Sequence, residues 1–302
     1  MNLDGLRPWG GLVGGTPADV VIAGIAYDGS AVYRKGAARA PQRIRELSAV
    51  MPPVTEDGHL LAGLHVQDIG DLEPGDEIET GWMTVMNRLA AVPSDAFLTV
   101  LGGDHCTAIS TLSAQVRRHP GLNVLWVDAH PDLCDFSRGG SWTCGCALRR
   151  ALEASGIEPS RVVIAGGRDY DPEEVEFIAT NRILLVSAPE IARDLPSAAR
   201  KIADHLAGKK VHVSFDIDVL DPAFAPGTEI PSAGGLSSRQ ALDLLRGATE
   251  RSQLVGFDVV EVSPPYDNGD ITTLAALKMI FEVWGMVKSR REAGAYEIRG
   301  KR

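Results

Sequence analysis

The sequence has little basic charge. Its 302 residues include 30 Lys and Arg against 40 Asp and Glu, which leaves a formal net charge of −10 at pH 7. Nucleic acids and anionic membranes are bound through basic surfaces, so we expect neither as a partner. A small cationic molecule suits this charge better, although a generally acidic surface explains it equally well.

Long apolar runs are also lacking. No uninterrupted apolar stretch reaches the ~18 residues that a membrane-spanning helix needs, and residues 1–8 lack the basic start and apolar run of a signal peptide. We therefore expect a cytoplasmic protein. Cysteine is sparse, and Cys106, Cys134, Cys144 and Cys146 lie close together in the chain. This indicates free thiols rather than the disulfide framework of a secreted scaffold.

Short apolar runs recur through the chain. Seven predict β-strands, at 20–25, 97–101, 122–127, 162–165, 183–186, 211–217 and 254–260, and 64–69 is a weaker eighth. Helices are expected at 41–50, 77–91, 107–118, 145–155, 172–180, 196–207, 238–250 and 271–289, with a surface loop at 52–62 and a loose tail at 291–302. Such alternation is typical of an α/β protein whose mostly parallel sheet is covered on both faces. Since no linker is apparent, we expect one domain over 1–302.

Metal-ligand residues follow three of these strands. The run at 122–127 stops at Asp-Ala-His-Pro-Asp, whose three ligands are spaced two apart, and residues i, i+2 and i+4 of an extended backbone lie on one face. Clustered buried carboxylates need compensating positive charge. Two His and four Asp are enough to bind two divalent ions through shared carboxylates. The six candidates are His105, Asp128, His130, Asp132, Asp216 and Asp218.

Together these motifs resemble those of the ureohydrolases, the arginase/agmatinase family, and in pattern the agmatinase-like guanidino hydrolases most. The resemblance implies a three-layer α/β/α fold with a sheet of about eight strands, and two Mn²⁺ ions. It covers nearly all of the chain, through Gly24-Ile-Ala-Tyr-Asp-Gly29, Gly-Gly-Asp-His105, Asp-Ala-His-Pro-Asp132, Ser-Phe-Asp-Ile-Asp-Val-Leu-Asp-Pro222 and Asp258-Val-Val-Glu261.

The resemblance also implies roles for single residues. Two ions that share a water lower its pKa, and the resulting hydroxide would attack a guanidinium carbon. Glu261 would pair with the cationic nitrogens of the substrate and Asp132 would protonate the leaving nitrogen, so that urea and an amine are released. Zn²⁺ or Ni²⁺ could occupy the same ligands. One ion would take His105, Asp128, Asp132 and Asp216, and the other His130, Asp128, Asp216 and Asp218.

Three positions depart from the family pattern. Cys144 stands where agmatinases have the proton-shuttle histidine of His-Gly-Thr-Pro-Phe-Arg. An ordinary thiol titrates near 8.5, so it is a slower base at neutral pH. Within Ala225-Pro-Gly-Thr-Glu-Ile-Pro-Ser-Ala-Gly-Gly-Leu236 the family usually reads Gly-Thr-Gly-Thr-Pro-Glu-Pro-Gly-Gly-Leu, so Ile230 replaces a threonine. Cys106 replaces a serine. We expect Cys144 to line the site and to alter substrate choice or the pH profile; a structural thiol and lost activity remain open.

The substrate is less defined than the chemistry. The segment 136–142 does not match the arginase residues that hold L-arginine, so a guanidino compound of the agmatine or guanidino-acid type is expected. Formimidoylglutamases also tend to lack the shuttle histidine, which keeps an amidine or formimino substrate open. A non-catalytic homologue that supports an active partner subunit is a further alternative. The family implies a homo-oligomer, a trimer or hexamer.

Other interpretations of single residues compete with these. Cys144 and Cys146, with Cys134 and His130 nearby, could form a zinc site, but Cys-x-Cys lacks the usual two-residue spacing. A cysteine nucleophile at Cys144 would leave the six-ligand cluster unexplained. Arg168, in Gly-Gly-Arg-Asp-Tyr-Asp after another strand, is expected to belong to a substrate-specificity loop.

Overall fold

The computed structural model describes residues 7–300, with side chains as far as Glu292. Several strands, including β1 and β3 to β5, are buried at every position, as expected for apolar strands in a sheet covered on both faces. Within this range there are eight strands: β1 (Val20–Gly24), β2 (Val66–Asp71), β3 (Phe97–Leu101), β4 (Asn123–Val127), β5 (Val162–Ala165), β6 (Leu184–Val186), β7 (Lys210–Asp216) and β8 (Gln253–Val260).

Helices connect the strands. Over the described residues they are α1 (Ala40–Ser48), α2 (Ile78–Ala90), α3 (Thr107–Arg118), α4 (Ala147–Ser155), α5 (Pro172–Asn181), α6 (Ala188–Arg193), α7 (Leu195–Leu206), α8 (Ser238–Thr249) and α9 (Ile271–Gly300). Capping boxes begin two of them, because Asp171 with Glu174 and Ser237 with Gln240 exchange side-chain and backbone hydrogen bonds. Between residues 7 and 300, no helix has the length and apolar character needed to cross a membrane.

The sheet order is β2-β1-β3-β8-β7-β4-β5-β6, and all neighbouring strands are parallel. Apolar side chains form one core against α1, α7, α8 and α9 and another against α2, α3 and α4. The predicted three-layer α/β class is therefore confirmed. Because β3, β8, β7 and β4 are consecutive in space, the residues at their carboxyl ends are neighbours.

Three local predictions differ from the structure. Helix α6 was not expected from the sequence. Residues 52–62 form the predicted loop, yet Leu61 within it is fully buried. The prediction of a loose tail at 291–302 is wrong as far as Gly300, because α9 continues to that residue. In this part of α9, Arg291 donates to Asp19 Oδ1 and to the Asp95 carbonyl, both at 2.6 Å. Residues 301–302 of that tail, and residues 1–6, on which the expectation of no signal peptide partly rests, lie outside the described residues.

Candidate metal centre and active site

The carboxyl ends of four neighbouring strands carry the predicted site residues. The turn after β3 requires glycine, since a Cβ on Gly103 would lie 1.8 Å from the Tyr27 carbonyl oxygen. The Asp104 N–H donates to the same carbonyl at 2.8 Å, so the turn that precedes His105 is held against the loop after β1. The structure brings all the predicted ligands and the predicted substrate carboxylate together at this edge: His105, Asp128, His130, Asp132, Asp216, Asp218 and Glu261.

The ligands converge through turns. Strand β4 ends at Val127, the chain bends over residues 128–130, and Asp132 has a φ of 54°. The expectation that an extended backbone places these ligands on one face is therefore wrong. Hydrogen bonds from backbone N–H groups to aspartate side chains stabilise these turns instead. The His130 N–H donates to Asp128 Oδ1 at 2.7 Å, and the Asp218 N–H donates to Asp216 Oδ1 at 2.7 Å.

A first ligand group surrounds His105. Its Nδ1 lies 3.0 Å from Asp128 Oδ2, 3.1 Å from Asp216 Oδ2 and 3.3 Å from Asp132 Oδ2. Both Nδ1 and Asp128 Oδ2 are buried, and neither makes a well-aligned hydrogen bond to any described residue. Buried polar atoms that face one another without a hydrogen bond fit a bound cation.

A second group surrounds His130. Its Nδ1 lies 3.0 Å from Asp218 Oδ2 and 3.6 Å from Asp128 Oδ1. Asp128 thus belongs to both groups and presents a different oxygen to each. A carboxylate in this position is suited to bridge two cations.

Without bound cations, the carboxylates of the cluster are buried so close to one another that they cannot all ionise favourably. Burial, together with the nearby Asp128, raises the pKa of Asp132 to about 7, and burial with Asp218 raises the pKa of Asp216 well above its usual value. Burial alone would lower the pKa of His105, but its carboxylate neighbours outweigh burial and raise it. Divalent cations would let all these carboxylates ionise together. The donor set therefore fits two divalent metal ions.

A buried hydrogen-bond chain orients His105 from behind. Gln115 Nε2 donates to His212 Nδ1 at 3.0 Å, which leaves His212 Nε2–H to donate to Asp258 Oδ2 at 2.6 Å. The Ser214 hydroxyl donates to Asp258 Oδ1 at 2.6 Å and lies 2.9 Å from His105 Nε2. This arrangement assigns the imidazole proton of His105 to Nε2 and leaves the Nδ1 lone pair for a metal ion.

A cavity of about 250 Å³ opens over the cluster. Its lining includes Asp132, Glu261 and Cys144, three of the predicted site residues, and Ile230, which replaces the family's threonine. The cavity is large enough for a small organic cation, and its floor is the metal cluster.

Glu261 lies beyond the end of β8 in a left-handed conformation, with a φ of 63°. Its Oε1 accepts a hydrogen bond from the His105 N–H at 2.7 Å, whereas Oε2 is buried and accepts none from the described residues. Burial, followed by the nearby Glu229, raises the pKa of Glu261 well above its usual value. A cationic ligand would favour the ionised form of this carboxylate.

Cys144 lines the cavity as a buried free thiol. Burial, reinforced by Glu261 and Glu229, raises its pKa, so it is a neutral group near pH 7. The alternative zinc site has no support in the described residues: Cys146 Sγ lies near Thr143 and the Gly140 carbonyl, and no metal-type group contains Cys144 or Cys146.

A third ligand-type group, Cys134 with Asp171 and Glu174, has another use. Both oxygens of Glu174 accept backbone N–H bonds, from Leu133 and Asp171, at the start of α5. These groups therefore stabilise a helix terminus rather than fit a cation.

Arg168 belongs to a loop that borders the cavity through Asp169, Tyr170 and Asp171. Arg168 itself does not line the cavity, and its guanidinium donates to main-chain carbonyls, including those of Asp218 at 2.6 Å and Ser232 at 2.9 Å. The predicted contact of Arg168 with substrate therefore has no support in the cavity lining. Arg168 holds the backbone of the metal-ligand loop instead.

Sequence reasoning missed Glu229. It is 1% exposed and lines the cavity beside Cys144 and Glu261. Its position corresponds to the second glycine of the family pattern Gly-Thr-Gly-Thr, so a buried carboxylate stands where the pattern has no side chain. That replacement was the signal that could have revealed it.

Comparison with known proteins agrees with this geometry. A profile of the arginase family matches residues 18–285. The chain is 36% identical to the agmatinase of Neisseria meningitidis (88% of this chain, 86% of the relative) and 35% identical to the guanidinopropionase of Pseudomonas aeruginosa (87% and 85%). The solved structure of the proclavaminate amidino hydrolase of Streptomyces clavuligerus superposes with a TM-score of 0.82 at 33% identity, covering 92% of this chain and 94% of that one. The chain therefore belongs to the arginase family and is an amidinohydrolase.

Proposed function

We propose that this protein is a dinuclear manganese hydrolase that cleaves a small guanidino compound, of the agmatine or guanidino-acid type, into urea and an amine. The observation that supports it is the pair of ligand groups that share Asp128 beneath a cavity into which Glu261 projects. Relatives named agmatinase and guanidinopropionase suit the same substrate class.

The donors suit manganese. His105, Asp128, Asp132 and Asp216 would hold one ion, and His130, Asp128, Asp216 and Asp218 the other, with one imidazole and several hard oxygens for each. When bound, such ions would supply Lewis-acid chemistry that makes water available as a nucleophile near neutral pH.

The chain's own residues bind and orient the substrate. The free Oε2 of Glu261 faces the cavity, where it would accept N–H bonds from the guanidinium group and hold its carbon over the cluster. Asp132, which lines the same cavity, would pass a proton to the leaving nitrogen. The C–N bond then breaks to give the amine and urea.

The direct test is urea release by Mn²⁺-loaded protein from agmatine, 4-guanidinobutyrate, 3-guanidinopropionate, L-arginine and guanidine. We expect turnover of at least one compound, and its loss together with bound metal in Asp128→Ala and Asp216→Ala. Asp135→Asn, an exposed carboxylate outside the cavity, is the matched control and should stay active. Retained turnover in either Ala variant would refute the mechanism.

A formimino compound is the second candidate. Cys144 stands where agmatinases have the shuttle histidine, and formimidoylglutamases also tend to lack that histidine. Formamide release from N-formimino-L-glutamate, without urea from any guanidino compound, would assign the protein to that branch.

We also propose a cytoplasmic homo-oligomer, a trimer or hexamer, that binds neither nucleic acid nor membrane. The acidic composition supports the absence of polyanionic partners. Light scattering on the purified protein measures the assembly, and a monomer would contradict it.

A further inference from the structure

Glu229 is built as a binding group. Its Oε1 accepts two backbone hydrogen bonds, from the Val32 N–H at 2.5 Å and the Tyr33 N–H at 2.7 Å. These bonds fix the carboxylate in one orientation. Glu229 lines the cavity, and its Oε2 is buried and accepts no well-aligned hydrogen bond from any residue between 7 and 300. The neighbouring thiol of Cys144 is only a weak donor.

Glu261 lines the same cavity, and its carboxylate is held in the same way. Each carboxylate has one oxygen bonded to main-chain N–H groups and a second, unpartnered oxygen, and their exposed fractions are 1% for Glu229 and 4% for Glu261. Two such oxygens in one small cavity repel each other and carry a large desolvation cost. Cationic N–H donors between them would relieve both penalties.

The cavity lining as a whole is also negatively charged. Eight of its 17 residues are Asp or Glu, and three of these, Asp132, Asp216 and Asp218, are proposed metal ligands, which leaves five carboxylates that hold no proposed metal ion. The only basic side chains among the lining residues are His130, itself a proposed ligand, and Arg138, which is exposed at the rim. Water screens an exposed charge far more than a buried one, so Arg138 offsets little of the buried negative charge.

We infer that Glu229 is a second substrate-binding carboxylate that, together with Glu261, selects cationic compounds without an acidic tail. This inference rests on the proposed function. A guanidinium ion carries N–H donors on every edge of its plane, so two carboxylates can each bind a different edge. A substrate with a further ammonium group balances more of the lining charge. A guanidino acid instead brings a third carboxylate into the cavity.

Agmatine and 4-guanidinobutyrate form the discriminating pair, because they share the guanidinium head and a four-carbon chain and differ in the charge of the tail. The variant is Glu229→Gln, whose side-chain oxygen can still accept the Val32 and Tyr33 N–H bonds while the charge is removed. We expect wild type to prefer agmatine in kcat/KM, and the variant to lose about tenfold or more of that preference. Its Mn²⁺ content and circular dichroism should be unchanged.

Control variants distinguish the loss of charge inside the cavity from the loss of charge on the exposed surface. Asp135→Asn removes one exposed carboxylate outside the cavity and should leave the preference within about twofold. Glu229→Asp keeps the charge and should retain more of the preference than Glu229→Gln. Equal losses in the two variants would indicate a perturbed site rather than a missing charge. An unchanged agmatine preference in Glu229→Gln, or a wild-type preference for 4-guanidinobutyrate, would overturn the inference.

Binding separates the two proposals. If wild type hydrolyses none of the five guanidino compounds, the proposed function fails, and calorimetric titration of agmatine and 4-guanidinobutyrate into the metal-loaded wild type and Glu229→Gln still tests the inference. Tighter binding of agmatine that is lost in the variant supports it. Equal affinities of wild type for the two compounds refute it.

Discussion

At the scale of single residues, the site depends on side chains that never touch a metal ion or substrate. Asp258 accepts from both His212 and Ser214, so it fixes the imidazole of His105 through one intermediate hydroxyl. The ring of His105 also stacks on Trp126, with centroids 3.8 Å apart. Together these contacts restrict both the position and the rotation of the ligand.

Asp258→Asn is expected to weaken Mn²⁺ binding by about 10- to 100-fold, because the amide can accept only one of the two hydrogen bonds. Calorimetric titration with Mn²⁺ measures the change. Asp270→Asn, in a partly buried pair with Arg43 outside the cavity, is the control and should not alter metal affinity. Unchanged binding in Asp258→Asn would show that the chain of hydrogen bonds does not orient His105.

Cys144→His is expected to raise kcat/KM for agmatine-like substrates or to lower the optimum pH. The buried thiol has a raised pKa and stays protonated near pH 7, whereas an imidazole titrates close to that range. A pH–rate profile of wild type, Cys144→His and Cys144→Ala measures this. If all three profiles coincide, residue 144 lies outside the proton path.

At the scale of elements, ion pairs attach the loop 52–62 to the helical layer. Glu56 pairs with Arg239 at 2.6 Å and with Arg246 at 2.5 Å, both on α8, and its N–H donates to Glu282 of α9. Leu61, at the end of the loop, is thereby kept in the core. A segment that looks like surface loop in the sequence is a packed part of the fold.

Glu56→Gln should lower the free energy of unfolding by about 1 kcal/mol at pH 7, since solvent screens a partly exposed network. The hydrogen bond to Arg239 outweighs burial and lowers the pKa of Glu56 from 4.5 to about 2. The stabilisation is therefore complete above pH 4.5 and is lost as the pH falls toward 2.

Urea unfolding at several pH values measures both quantities. Glu153→Gln, which breaks exposed pairs on α4, is the control and should change stability by only a few tenths of a kcal/mol. A difference between wild type and Glu56→Gln that stays constant down to pH 2 would contradict the assignment.

At the scale of the whole molecule, the ligands join three strands at the middle of the sheet. Because Asp128, Asp216 and His105 follow or end different strands, bound metal ions would cross-link β4, β7 and β3. A ligand that binds only the folded state stabilises it by mass action.

Removal of metal with a chelator is expected to lower Tm by about 5–10 °C, and Mn²⁺ should restore it. Differential scanning calorimetry measures the shift. Asp128→Ala should show no such response to chelator or Mn²⁺, which makes it the control. A wild-type Tm that is independent of metal would argue against ions bound in the cluster.

Much of this molecule could be predicted before its structure. Strand runs, intervening helices and ligand residues are local patterns, because apolar periodicity and donor chemistry depend on residue type and spacing. The sheet class was confirmed, and the six candidate ligands with Glu261 lie together. Capped turns and the helical continuation past residue 290 were less visible in the sequence.

The sequence by itself determined the candidate ligand set and the alternating α/β order, since both follow from the types and spacing of neighbouring residues. Only the tertiary structure decided what Glu229 and Arg168 do. Glu229 is oriented by backbone N–H groups almost two hundred positions earlier in the chain, and Arg168 is held by carbonyls from two other segments. Contacts with residues distant in sequence set the orientation of a side chain on a loop. The spacing of residues along the chain does not encode those contacts.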